Sequence, residues 1–298
     1  MGHYTDMNLY IENWLHEDLE LVKESAQKGM SPVFCIDGYE QTCKSTLAAQ
    51  LAYFLDPSIK NDLVRVTFNR EQCEEGIKRA RDLGGDGRVV VLDEAGNIFD
   101  ADSQSSKNAK WIKKVFQQCG KYHIIFIMCS PSIFDLSTYA RIHRINFLLR
   151  TYTKIIKSDT MTGIKKHLHK GYYMMYPMSK KISLIMKARY KYDYGCEYPE
   201  YVGHFLEDPG KSEIYGHGYE AKKDRAFDAL FGTDALKDSD KIFKRMHECI
   251  GKILSREVAA KILGYAGIQG YNALLRRMRD KGIITEYDRK PKEVVKPV

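Results

Sequence analysis

The stretch VFCIDGYEQTCKSTLAAQLAYFL, residues 33–55, constrains this chain more than any other. A strand-like apolar run over 33–36 meets Gly38; four residues pass, and Lys44, Ser45 and Thr46 open a helix expected to reach Leu55. A strand, a glycine turn and a helix N-terminus in that order make a cradle for an anion, because backbone N–H groups point into the turn and the helix dipole stands behind them. The spacing is that of G-x-x-x-x-G-K-[ST], with Cys43 where the second glycine belongs. A glycine there lets the backbone take a positive φ. Another residue in that geometry costs roughly 1–3 kcal/mol, or about five- to hundredfold in affinity. Triphosphate contacts and Mg²⁺ can absorb that loss, so binding is expected to be weakened and retained.

Beyond the loop, the chain has the rhythm of a covered parallel sheet. Asp56-Pro57 stops the first helix. Residues 63–68 form a short strand pattern, 71–83 a helix, and a glycine-rich turn at 84–87 leads into RVVVLDEAGN, an apolar run ending in Asp93-Glu94. A further helix is expected over 106–118, a strand over 123–128 closed by Cys129-Ser130-Pro131, and a fifth strand over 145–151. Apolar strands alternating with helices form a parallel sheet buried on both faces. Ligands bind such sheets at the carboxyl ends of the strands, where Gly38, Asp93 and Ser130 all fall. At that edge Lys44 can reach terminal phosphates and the Ser45 hydroxyl can meet Mg²⁺. Asp93 can hold the metal's water shell, and Glu94 can orient and deprotonate an attacking water.

These residues carry a resemblance. GYEQTCKST, VVVLDEAG and IIFIMCSPSIFDL make residues 31–151, about two-fifths of the chain, similar to P-loop ATPases of the additional-strand, catalytic-glutamate division. The likeness is to the FtsK/HerA-type translocating and packaging ATPases and the zonula occludens toxin-like proteins of phages and archaeal mobile elements. It implies an α/β, RecA-like P-loop NTPase fold with ATP and Mg²⁺ as cofactors, and a homo-oligomer such as a ring. In the loop it implicates Gly38, Gln41, Thr42, Cys43, Lys44, Ser45 and Thr46 for the nucleotide, with Ser45 and Asp93 toward the metal. Glu94 is then the base and Ser130 the sensor, where many relatives have glutamine. A neighbouring subunit's arginine completes such sites; Arg144, then Arg141, with Arg150 also near the last strand, are the candidates.

The remainder divides by charge. Of the net +8, residues 1–150 contribute 18 Lys/Arg against 20 Asp/Glu, and 192–250 contribute 8 against 13. Residues 151–191 carry 10 against 1, and 251–298 carry 11 against 5. Two segments therefore hold the positive surplus, which favours a polyanion such as DNA through counterion release. The first segment is rich in tyrosine; residues 182–190 alternate and are expected to be a strand, paired through a turn at 177–180 with 171–178. A basic hairpin with exposed aromatics can track a nucleic-acid backbone and stack on bases. The second, SREVAAKILGYAGIQGYNALLRRMRDKGIITEYDRKPK, is similar to a winged helix-turn-helix. Gln269, Tyr271, Asn272 and Arg276 would face a DNA groove, and Arg277 and Arg279 crowd the same helix.

The expected organisation is an N-terminal helix over 1–29, an ATPase core over 30–151, a basic β extension over 152–218 and a helical linker with the winged helix over 219–298. Seven cysteines, scattered and without a C-x-x-C pair, argue against disulfides and zinc. The lack of an apolar run near the ~18 residues a span requires argues against a membrane protein. With no signal-peptide pattern either, a cytoplasmic chain is expected, in a prokaryotic host if an element encodes it. Three functions fit: a DNA-translocating, packaging or replication ATPase; a DNA-binding protein regulated by a degenerate nucleotide site; and a nucleoside monophosphate kinase. The opening CIDGYEQTCKST resembles thymidylate kinase, but Asp93 is followed by Glu-Ala-Gly rather than an Asp-Arg pair.

Overall fold

The computed structural model describes residues 2–4, 7, 9–95, 111, 115, 116, 120–160, 163–188, 193–231, 272 and 276. The chain divides into two compact units, Met1–Ala226 and Phe227–Val298. The first begins with two short paired strands, β1 (Gly2–Tyr4) and β2 (Tyr10–Glu12), then α1 (Asn13–Gln27). The single amphipathic helix expected over the first residues thus starts only at Asn13. Ile11 is buried between half-buried Tyr10 and Glu12, a strand-like alternation too short to stand out in sequence.

The next elements along the chain are β3 (Val33–Asp37), α2 (Lys44–Leu55), β4 (Val66–Thr67), α3 (Arg70–Leu83), β5 (Val89–Asp93), β6 (Ile125–Ser130), β7 (Phe147–Thr160), β8 (Gly163–Pro177), α4 (Met178–Lys187), β9 (Tyr201–His204), α5 (Lys211–Tyr215) and α6 (Gly218–Phe231). Seven strands form one sheet in the order β4-β5-β6-β3-β7-β8-β9. The first five are mutually parallel; β8 and β9 add antiparallel. The protein is a mixed α/β structure with a mostly parallel central sheet, compatible with a P-loop NTPase.

Burial on both faces explains the unbroken apolar strands. Phe34 and Ile36 of β3 join the core under α1 and α2, while Val33 and Cys35 join the opposite core, which includes Cys73 and Ala80 of α3 and Leu184 of α4. The strand expected over 63–68 is shortened to Val66–Thr67, because Leu63–Arg65 is a 3-10 turn. That turn lets the fully buried Arg65 guanidinium reach Asp56 and Asp62. Asp56 also accepts from Val89 N at 3.1 Å, which ties the end of α2 to the start of β5 and so helps place Asp93 at the far end of that strand.

The hairpin expectation needs correction. β8 pairs with β7, Tyr152 opposite Tyr172, and residues 178–187 are helical rather than a strand. The inward face of α4 is Lys181, Leu184 and Ile185, continued by the C-cap Ala188, an i, i+3, i+4, i+7 stripe headed by a lysine. Lys181 is fully buried and donates to the carbonyls of Ile142 and Ile145, at 3.3 and 2.5 Å. Burial pulls its pKa down to about 8. Counted as polar, it hides the helical period and leaves Ile182, Leu184 and Met186 looking like strand alternation.

Parallel pairing of β3 with β7 puts Asp37 beside Arg150. Beyond Tyr152, β7 and its β8 partners therefore extend past the carboxyl edge of β3 as a two-stranded arm. Of the helix expected over 106–118, only Trp111, Val115 and Phe116 are described, and they are helical. The winged helix falls outside the described residues except for Asn272 and Arg276, both helical, with Arg276 exposed.

Candidate active site

Gly38 leaves β3 with φ +146°. A Cβ there would lie 2.4 Å from Thr151 O and 2.5 Å from Thr151 Oγ1, so the turn closes only over a glycine. Thr42 is buried and does not face the cavity with its hydroxyl: its Oγ1 bonds to Tyr39 O and to Thr151 Oγ1, both at 2.7 Å, clamping the loop to β7. Lys44 donates to the carbonyls of Gly38 and Tyr39, each at 2.8 Å, across the mouth of the turn.

Cys43 has φ +64° and ψ +31°, the left-handed conformation that the missing glycine would have supplied, and Gln41 has φ +61°. The Cys43 side chain packs in part against the core below the loop. Burial pushes its thiol pKa up, so it is not an activated thiolate. The loop's own contacts hold this backbone, so the strain belongs to folding rather than to affinity. Cys43→Gly is therefore expected to raise unfolding free energy by about 1 kcal/mol and to shift nucleotide affinity less than about threefold, in place of the five- to hundredfold expected from sequence. Denaturant titration beside equilibrium nucleotide binding checks both; a tenfold gain in affinity would put the strain in the bound state instead.

Across the cavity, Ser45 Oγ donates to Asp93 Oδ1 at 2.9 Å. The other Asp93 oxygen accepts from the Tyr219 hydroxyl, which comes from α6. Tyr219 is fully buried, and burial with the adjacent Asp93 raises its pKa far above the usual range, so it remains a donor. A hydroxyl and a carboxylate at one point are hard oxygen ligands of the kind Mg²⁺ takes alongside water and phosphate. Among the described residues no cluster of three His, Cys, Asp or Glu could hold a metal on its own. Glu94 comes next at φ +85°, about half-exposed, with Lys223 Nζ 3.2 Å from its Oε1. Ser130, buried at the end of β6, donates to Ser132 O at 3.0 Å.

These groups line one cavity of about 490 Å³. It brings together residues 41–46 of the loop, Asp93, Glu94 and Ser130, together with Lys170, Lys211 and Lys223. Gly38, Arg141, Arg144 and Arg150 do not line it. Arg141 donates to Phe134 O at 3.1 Å and Arg144 to Ser31 O at 3.3 Å, the latter at the opposite edge of the sheet, before β3. Arg150 lies over the Tyr194 ring and 3.6 Å from Asp37. Tyr219, Lys170, Lys211 and Lys223 are not singled out by the sequence. Tyr219 and Lys223 are one helical turn apart, but nothing in their spacing points that turn at residues 93 and 94.

Behind the loop, Asp37 is fully buried and accepts from Ile133 N at 3.0 Å and from Tyr194 OH. Burial pushes its pKa up to about 6 despite the opposing pull of Arg150 and these hydrogen bonds. A carboxyl raised on folding adds stability that is complete below the unfolded pKa and is lost as pH rises through the folded one. The stability of wild type relative to Asp37→Asn is thus expected to fall by about 3 kcal/mol between roughly pH 4 and 6.5. Denaturant unfolding at a series of pH values checks this; a constant difference would remove Asp37 as the cause.

The fold and this edge define the general class, a mixed α/β protein with a candidate phosphate-loop site at the carboxyl ends of its parallel strands. No protein-family model and no curated protein matches the chain. Among solved structures it is similar to the N-terminal domain of zonular occludens toxin from Neisseria meningitidis, with 13% identity over 62% of this chain and 99% of that one, and a TM-score of 0.37. At that score the likeness carries no weight for what the site does. No described helix is long and apolar enough to cross a membrane.

Proposed function

We propose that this chain is a Mg²⁺-dependent P-loop ATPase that acts on DNA, its hydrolysis driving translocation, packaging or replication, and that it works as a homo-oligomer. The observation that carries the reading is the 2.9 Å hydrogen bond from Ser45 Oγ to Asp93 Oδ1, which joins the loop to the acidic strand end inside a cavity with four lysines. Here Lys44 and the loop N–H groups hold the triphosphate. Ser45 and Asp93 hold Mg²⁺, which when bound neutralises phosphate charge. Glu94 takes the proton of the attacking water. Ser130 is the sensor, and Arg144 or Arg141 is offered to a neighbouring subunit.

Support for DNA comes from the arm. Tyr152 and Tyr172 face each other at its base with ring centroids 5.7 Å apart, Lys154 lies 5.3 Å from the Tyr172 ring, and His204 and Tyr10 continue the series. Half-buried aromatics beside the exposed Lys154 form a surface suited to stacking and backbone contact. Lys170, also on the arm, lines the nucleotide cavity, so one strand serves both regions. Gln269, Tyr271, Asn272, Arg276, Arg277 and Arg279 remain the proposed second DNA contact.

The test is ATP turnover with and without Mg²⁺ and DNA, at low and high salt. Turnover that requires Mg²⁺ and rises with DNA, with a rise that fades in salt, fits the proposal. Phosphate transfer to a nucleoside monophosphate would replace it with a kinase. The Glu94–Lys223 pair favours one second reading, a DNA binder whose nucleotide site is regulatory, since a carboxylate oxygen bonded to an ammonium is not open to an attacking water. Tight DNA binding that responds to ATP without turnover would select it.

A further inference from the structure

Lys223 stands apart from the other cavity lysines. Lys44 is bonded to the loop carbonyls, Lys211 is paired with Glu220 at 2.9 Å, and Lys170 extends from the arm. Lys223 alone is bonded to the residue proposed as the base. Its position is set from within its own helix: Tyr219, one turn earlier, is anchored on Asp93 and stacked on Tyr215 with centroids 5.7 Å apart. Burial works against the Lys223 ammonium, but Asp93 and Glu94 outweigh it and hold its pKa above the ordinary lysine value. The lysine is thus charged at neutral pH.

We propose that Lys223 is a triphosphate-sensing cation. It pairs with Glu94 until a terminal phosphoryl group enters the cavity, then transfers to that group and releases the carboxylate to act as base. This rests on the ATPase reading above and adds a regulator to the same site. Three features argue for it. The pair is partly solvent-exposed, 31% for Lys223 and 46% for Glu94, and ion pairs of that kind contribute only about 0–1 kcal/mol. It is therefore easily exchanged and makes a poor structural brace. A terminal phosphoryl group brings about two negative charges into a cavity where Glu94 offers one, so the competition favours the phosphate. While Glu94 Oε1 is bonded to the Lys223 ammonium, that oxygen is not open to an attacking water, so hydrolysis is held back until the substrate itself removes the partner.

The experiment compares Mg²⁺-dependent binding of a fluorescent ATP analogue and the matching ADP analogue to wild type, Lys223→Ala and Lys223→Arg. Loss of Lys223 is expected to weaken the triphosphate by about tenfold or more, equivalent to about 1.4 kcal/mol, and the diphosphate less than about twofold. Lys223→Arg should retain most of the discrimination. Parallel losses for both nucleotides, or none, would overturn the sensing role and leave the nucleotide site standing. A wild-type protein that binds neither analogue would overturn the ATPase reading and the sensor together. A general weakening of the fold cannot imitate the expected result, because it would move both affinities alike.

Discussion

Replacing Glu94 with glutamine is expected to lower ATP turnover by at least about a hundredfold, the usual contribution of a positioned general base, while Mg²⁺–ATP affinity stays within a few-fold of wild type. The side chain keeps its size and its place just after β5, so what is removed is the capacity to accept a proton. Its ion pair with Lys223 is lost as well, but that pair is half in solvent and its removal has little effect on folding. Asp93, bonded to Ser45 and Tyr219, is not touched by the change, and the metal site should survive it. Single-turnover hydrolysis beside equilibrium binding separates the two quantities. Turnover that survives the change removes Glu94 from the mechanism, whereas loss of binding would mean that the residue holds the nucleotide and does not act as its base.

The second large effect is expected at Gly38. Its φ of +146° is strained for any L side chain, and an added methyl would stand 2.4 Å from a backbone oxygen and 2.9 Å from Thr42 Oγ1. Neither neighbour can easily give way. Thr151 belongs to β7, in the middle of the sheet, and its hydroxyl donates to Asp37 O at 3.0 Å. Backbone strain and overpacking each contribute roughly 1–3 kcal/mol, so Gly38→Ala should destabilise the protein by about 2–6 kcal/mol and abolish nucleotide binding, since the loop must leave β7 to make room. Denaturant unfolding with an unchanged m-value, together with nucleotide titration, measures both. A variant that unfolds like wild type and still binds would show that the turn is looser than these contacts imply.

The cradle is legible in the sequence because its parts are local. Gly38, Lys44 and Ser45 stand in one short segment whose strand, turn and helix arise from apolar runs and a glycine. Asp93 and Glu94 are legible for the same reason, as acids ending a run too apolar to be anywhere but the middle of a sheet. Even the left-handed backbone at Cys43 can be read from spacing, although its energetic consequence cannot: only the contacts around the loop assign the strain to folding. The arm and α4 are misread from sequence because strand pairing is a property of two segments. Lys181 also conceals a helical stripe from any reading that counts lysine as outward-facing, and only the carbonyls of Ile142 and Ile145 make its burial tolerable.

By itself, then, the sequence determined the sheet's apolar strands, the anion-cradle turn and the acidic strand end, since each is specified by neighbours a few residues apart. The tertiary structure alone decided that Ser45 meets Asp93, that Tyr219 occupies the second oxygen of that carboxylate, and that Lys223 reaches Glu94. Those contacts join positions tens to more than a hundred residues apart. A helix records which residues share its face, but not which distant strand end that face will be packed against.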